Sequence, residues 1–320
     1  MMDYFEVLGL QKEPFMDTAD PYFFHAAPDR EEILTHLEVA VRVGRGLACV
    51  FGEVGSGKTT LAQTLEQNLL QDESFVLRKV FDPSFSSEYL FLTQIAMVFE
   101  IERTPGTILE LKNSIKNYLF KKGVEEGKTI LLIIDEAQKL TLQNLETLRI
   151  LLNYQAPNRK LLNIILFGQP ELMEQMRQMP NLTDRITSLF FLSPLDRIGT
   201  HDLIRFRLKQ AGLPDDRELF SEEAKDRIYD YGKGNVRKVV NLCHDLIEEL
   251  VIRERNVVTL EMVEKAIGKK EQIQKLFQKE SVGGNGKMSD SQNGSSISRV
   301  PQKSVKISGF IEKLLDKIWN

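Results

Sequence analysis

Between residues 47 and 193, short β-rich apolar runs alternate with stretches whose apolar residues recur at three- and four-residue steps. The pattern predicts strands over 47–51, 75–81, 129–134, 161–167 and 189–192. It predicts helices over 60–70, 86–101, 107–121 and 142–154, the last behind Thr141 as a side-chain cap. Near-continuously apolar strands separated by helices read as a parallel sheet with helices on both faces. After Ser193-Pro194 the β signal stops and helical periodicity takes over at 200–211, 221–231, 236–253 and 259–280. Ser221 and Thr259 look like helix starts, and Gly212 and Gly232 like stops. The predicted organisation is an α/β domain over 1–195, whose first 30 residues form a distinct opening segment, and a small all-helical domain over 196–280.

From 281 to 304 the chain is rich in Gly, Ser, Asn, Gln and Lys and almost free of large apolar side chains, the composition of a flexible linker. Beyond it, Ile307, Phe310, Ile311, Leu314, Leu315, Ile318 and Trp319 fall on one helical face over 305–320. This amphipathic helix has three open readings: packing on its own protein or a neighbour, docking into a groove of a protein partner, or lying on a membrane surface.

Composition narrows the class without naming a partner. A chain of 320 residues with 42% hydrophobic content can bury a full core. Its net charge of −4 argues against a surface built wholly for nucleic acid. Cys49 and Cys243 cannot make a disulfide framework or a metal cluster, which fits a reducing cytoplasm. His25, His36, His201 and His244 lack the short spacing of a metal site. Met1 to Glu6 has no basic start followed by an apolar stretch, and no run of eighteen apolar residues occurs, so neither a leader nor a membrane span is expected.

The chemistry is concentrated in two motifs. Gly52-Glu53-Val54-Gly55-Ser56-Gly57-Lys58-Thr59 matches G-x-x-x-x-G-K-[ST] between a predicted strand and a predicted helix, whose first residues include Thr60. Backbone N–H groups of such a loop curl around phosphate oxygens, Lys58 reaches the β- and γ-phosphates, and Thr59 offers its hydroxyl to Mg²⁺. The apolar run from Ile130 to Ile134 delivers Asp135-Glu136 to the carboxyl end of its strand, where ligands of open α/β sheets bind. Asp135 is expected to hold Mg²⁺ through water and Glu136 to polarise an attacking water. These make the chain a P-loop NTPase of the type whose second acid drives hydrolysis. Gln169, after the strand 161–167, is placed to touch both a γ-phosphate and the water. Arg185, before the last strand, could act as an arginine finger on a neighbouring subunit's γ-phosphate. Arg237, at the start of a helix of the second domain, could reach the γ-phosphate of its own subunit. For each of these three an ordinary polar, solvated or salt-bridged residue is the less favoured alternative.

Taken together these positions resemble the AAA+ superfamily, with Gln169 as sensor 1, Arg185 as the finger in trans and Arg237 as sensor 2. The resemblance narrows further. Tyr4-Phe5, Gly9-Leu10, Pro14-Phe15, Thr18, Asp20-Pro21 and Phe23 are similar to the opening of the general secretion pathway protein A type. So are Asp135-Glu136-Ala137-Gln138, the leucines from Leu145 to Leu152, Gly168-Gln169-Pro170-Glu171-Leu172 and Asn241-Leu242-Cys243. Ala19 and Val236 depart from it where that type usually has proline. The resemblance implies a parallel-sheet ATPase with a helical lid, ATP and Mg²⁺ as cofactors, a homo-oligomer, and a cytoplasmic location, peripheral at the inner membrane. It further implies service to a secretion, pilus or polysaccharide-export machine. Members often carry a transmembrane helix and a periplasmic peptidoglycan-binding domain, neither of which is seen in this sequence.

Two other functions compete with it. An ATP-switched DNA-binding regulator, like the transposition target selectors built on the same core, would use Arg42, Arg45, Arg78, Lys79, Lys121, Lys122, Arg159 and Lys160 on phosphates. With 46 acids in the chain, solvated charge is the favoured reading of these cations. A nucleotide-dependent scaffold with little turnover is the third.

Overall fold

The computed structural model describes residues 4–102, 106–157 and 159–282. The stretch expected to be a linker and the amphipathic helix at 305–320 lie outside the described residues, except that Ser281 and Val282 extend the last helix. In chain order the elements are α1 (Pro28–Arg42), β1 (Leu47–Phe51), α2 (Lys58–Leu70), β2 (Phe75–Val80), α3 (Glu88–Val98), α4 (Ile108–Phe120) and β3 (Thr129–Ile134). There follow α5 (Leu142–Leu151), β4 (Gln155–Ala156), β5 (Arg159–Lys160), β6 (Asn163–Gly168), α6 (Glu171–Arg177), α7 (Pro180–Thr183) and β7 (Ile186–Phe191). Four helices complete the described chain: α8 (Arg197–Gln210), α9 (Glu222–Gly232), α10 (Val236–Ile252) and α11 (Leu260–Val282).

Five strands form one parallel sheet in the order β2-β3-β6-β1-β7. The P-loop strand β1 and the acidic strand β3 are therefore not adjacent, since β6 lies between them. The inner strands are apolar because both faces are covered: all of β1 and β6 is buried, and β3 is buried from Ile130 to Ile134. One face packs Cys49, Phe51, Leu132 and Leu166 against α3 to α5; the other packs Val50, Leu131, Ile133 and Phe167 against α1 and α2. β7 closes one edge, and its alternation of half-buried and exposed residues is that of an edge strand.

Local signals account for most helix starts. Thr141, Ser221 and Asn235 cap α5, α9 and α10 with side-chain oxygens, and Thr107 with Glu110 forms a reciprocal capping box on α4. β7 begins three residues earlier than the predicted strand, and α4 runs on into a wider turn at Lys121–Glu125. The elements missed were α1, the β4–β5 hairpin, α6 and α7.

The placement of the first 30 residues differs from their sequence-based grouping with the α/β domain. Leu8, Leu10, Phe15, Phe23 and Ala27 share a core with α8 to α11. Arg207 explains the attachment. Buried on α8, it donates to the carbonyls of Pro14 and Met16 and lies over the Phe23 ring. Burial pulls its guanidinium down to about 10. Gln11 N–H to Ala211 O at 2.7 Å and Arg217 to Leu8 O fix the segment as a strap across the helical part.

Candidate nucleotide site

At the carboxyl end of β1 the chain turns sharply through Gly55 (φ 78°) and Gly57 (φ 101°) into α2. α2 starts at Lys58 with no side-chain cap, so its first N–H groups and its positive dipole end face the cleft. Arg30, on α1, supports the loop from below: Nη1 donates to Ser56 O at 2.9 Å and Nη2 to Ser193 O at 3.4 Å. A Cβ at Gly57 would stand 2.9 Å from that guanidinium, so the approach requires glycine. Lys58 Nζ donates to Gly52 O at 2.6 Å and Glu53 O at 2.9 Å. Burial draws its pKa below the ordinary lysine value, with Glu136, Asp135 and Glu53 pulling the other way. Gly52 N–H to Gly168 O at 3.1 Å ties the loop to the end of β6.

β3 brings the two acids to the same edge. Asp135 is buried, its N–H bonded to Val80 O at 2.9 Å. Glu136 is half-buried and adopts a left-handed backbone (φ 51°), a costly conformation for a side-chain-bearing residue that turns its carboxylate away from the strand. One carboxylate oxygen accepts from Gln138 Nε2 at 2.7 Å. Gln169 follows β6, half-buried, with its N–H on the Gln138 side-chain oxygen at 3.1 Å.

The helical part closes the third side. Asn235 Nδ2 donates to Val54 O at 2.7 Å and Arg237 N–H to Gly55 O at 3.1 Å, so the start of α10 is tied to the loop. The exposed Arg237 guanidinium stands 3.6 Å from Asp17 of the strap. Gly234 makes the junction with the sheet domain, accepting from Leu195 N–H at 3.0 Å. The resulting open cleft is lined by Asp17, Gly55, Lys58, Thr59, Glu136 and Arg237 among others. A helix N-terminus, a lysine and an arginine can bind phosphates there, and a carboxylate beside them can accept a proton from water.

Arg185 is elsewhere. Leu47 pairs with Ile186 and Phe51 with Phe191, so Arg185 lies at the amino edge of the sheet. That edge is about 16 Å from the P-loop edge at ~3.3 Å per strand residue. Arg185 therefore cannot reach a phosphate on its own loop. Near it is Lys160, whose Nζ donates to Arg45 O; Arg159 donates to Lys128 O. Partial burial and then Arg185 draw the Lys160 pKa down. The other cations considered for DNA are dispersed: Arg42 pairs with Asp72, Arg78 with Glu100 and Lys122 with Glu126, while Lys79 is buried.

Sequence reasoning missed Arg30, Asp17, Asn235 and Gln138. Asn235 was legible as a capping residue before an amphipathic run, but its bond to Val54 was not. Arg30 gave no signal, because its partners are backbone carbonyls far along the chain.

A model described as AAA domain matches residues 41–176. General secretion pathway protein A of Aeromonas hydrophila is 31% identical over 245 residues, 76% of this chain and 44% of that protein. Replication factor C small subunit 1 of Pyrobaculum islandicum is 26% identical over 242 residues, 74% of this chain and 63% of its own. The chain thus spans less than two thirds of either relative. Among solved structures, Cdc6p from Pyrobaculum aerophilum superimposes with a TM-score of 0.63 at 17% identity, covering 78% of this chain and 70% of that one. The Aeropyrum pernix ORC2 protein, solved as ADPNP-ADP complexes, gives 0.60 at 18%, covering 78% and 71%.

Proposed function

Since this chain belongs to the AAA+ ATPases of the general secretion pathway protein A type, we propose that it hydrolyses ATP at the cleft between the P-loop, the strap and α10. The observation that carries this reading is the convergence of Lys58, Thr59, Glu136 and Arg237 on one cleft at the uncapped start of α2. The fit for a nucleotide rests on that open helix end and on glycine positions too close to Arg30 and Asn235 for a side chain. Among the described residues no cluster of three or more His, Cys, Asp or Glu could hold a metal, so Mg²⁺ would depend on Thr59, Asp135 and the phosphates together. When bound it neutralises charge on the phosphate oxygens.

The protein's own groups would do the rest. α2 N–H groups and Lys58 hold the β- and γ-phosphates. Glu136 takes the proton of a water whose oxygen attacks γ-phosphorus as the bond to the ADP oxygen breaks. Gln169 orients that water, and Arg237 and a neighbour's Arg185 meet the charge on the departing phosphoryl group. Phosphate release tests the core of this. Lys58→Ala should lose nucleotide affinity. Glu136→Gln should bind ATP yet turn over about 10²- to 10⁴-fold more slowly; turnover equal to wild type sinks the assignment.

The position of Arg185 supports a site shared between subunits, with the amino edge of one sheet facing the next P-loop. Turnover should then rise with protein concentration, and mixing Lys58→Ala with Arg185→Ala subunits should restore activity that neither has alone. The relative's name points to a client in a secretion-type machine; to this we add a place at the inner membrane and 305–320 as the contacting segment. Capture with Glu136→Gln, with and without 281–320, tests that client.

A further inference from the structure

The geometry points to Gln138 as a positioning residue that sets the Glu136 carboxylate according to where the end of β6 lies. It rests on the proposal that Glu136 is the base for ATP hydrolysis. The Gln138 amide uses both ends: Nε2 donates to Glu136 Oε2 at 2.7 Å, and Oε1 accepts from Gln169 N–H at 3.1 Å. Its backbone is held as well, with Gln138 O accepting from Gln175 Nε2 on α6 at 3.2 Å. The side chain thus bridges two strand ends that do not follow one another in the chain. A glutamine is required for this, because only an amide offers a donor and an acceptor at opposite corners of one rigid plane.

The bond occupies one carboxylate oxygen and leaves the other for water. Glu136 has a left-handed backbone, and the bond from Gln138 Nε2 restrains where its carboxylate stands. Gly168 ends β6 against Gln138: a Cβ there would lie 2.7 Å from Leu172 and 3.6 Å from Gln138 N. A shift of Gln169 on contact with a γ-phosphate would therefore pass to Glu136 through one side chain, a contiguous physical link rather than a diffuse one.

Two near-isosteric variants test the bridge. Gln138→Glu keeps the acceptor for Gln169 and loses the donor to Glu136; Gln138→Met loses both. Measured with the full chain by phosphate release and nucleotide titration, both should lower kcat about ten- to a hundredfold. KM and ATP affinity should stay within about twofold, because the affected group acts on water and not on the phosphates. Thermal unfolding in parallel reports any loss of folded protein. A kcat kept within twofold overturns the proposal, and so does a fall no larger than the loss of folded fraction. The Glu136→Gln control distinguishes the two levels. If it abolishes turnover while both Gln138 variants keep theirs, only the positioning role is wrong; if it leaves turnover intact, the base assignment and this proposal fall together.

Discussion

Asn235 links helix stability to the nucleotide site through two separable bonds. Its Oδ1 accepts from Lys238 N–H at 3.1 Å, capping α10, and its Nδ2 donates to Val54 O at 2.7 Å, tying that helix to the P-loop. Asn235→Ala removes both. Loss of the cap costs about 1 kcal/mol, and loss of the neutral hydrogen bond to the exposed loop about 1 kcal/mol more. At roughly 2–4 °C per kcal/mol for a domain of 150–250 residues, the 2 kcal/mol total lowers Tm by about 4–8 °C. Asn235→Ser keeps a capping oxygen but is too short to reach Val54, so it should fall by about half as much. The tie also places Arg237 over Gly55, whose Cβ would meet Asn235 Oδ1 at 2.6 Å if it had one. Both variants should therefore raise KM for ATP, while an added excess of ATP restores part of the lost Tm by mass action. Differential scanning fluorimetry with and without Mg-ATP, beside steady-state turnover, gives both readouts. Equal melting of the Ala and Ser variants would refute the cap, and an unchanged KM in both would refute the tie.

Three further outcomes follow from other contacts. In Gly234→Ala the new Cβ would sit 1.8 Å from Leu195 O at a left-handed φ of 74°, so the junction must open; limited proteolysis should then cut between 193 and 236, and a resistant variant contradicts the packing. Arg30→Met removes the donor to Ser56 and Ser193 and should cost about 2 kcal/mol while weakening ATP binding. Arg30→Lys should not recover that binding in a nucleotide titration, since one ammonium cannot match the fork that spans both carbonyls. His25 packs on Phe206, and burial holds its pKa below the ordinary value of 6.5. The unfolded chain therefore binds a proton there that the native state resists, and stability falls as pH drops below about 6.5. Chemical denaturation at pH 7.5 and 5.5 should show a smaller loss in His25→Phe than in wild type, and an equal loss would show that His25 is not the titrating group.

Much of this protein was legible because its signals are local. An apolar pentad followed by Gly52 to Thr59 needs no distant partner to be read, and the run ending in Asp135-Glu136 needs only the rule that α/β ligands bind at strand carboxyl ends. Capping residues such as Thr141 and Ser221 mark their helices by a bond within four residues. The helix α1 was missed although Ile33, Leu37, Ala40 and Val41 are buried along it at helical spacing.

What the chain order could not convey is which distant groups meet. Residues 8–27 are contiguous with the sheet domain, yet their apolar side chains pack on α8 to α11, because Arg207 needs their carbonyls and the helical part needs their Leu8, Phe15 and Phe23 to close its core. Arg185 and Gln169 are sixteen positions apart, yet parallel pairing puts them at opposite edges of one sheet, since every strand runs the same way. Arg30 and Gln138 act through backbone atoms or a single amide bridge, which no side-chain pattern encodes. By itself the sequence determined a phosphate-binding motif after β1 and an acidic pair after β3, for each motif is contiguous along the chain. Only the tertiary structure decided that the strap and α10 close the cleft while Arg185 faces away from it, because those are consequences of how strands register and where buried cations find their acceptors.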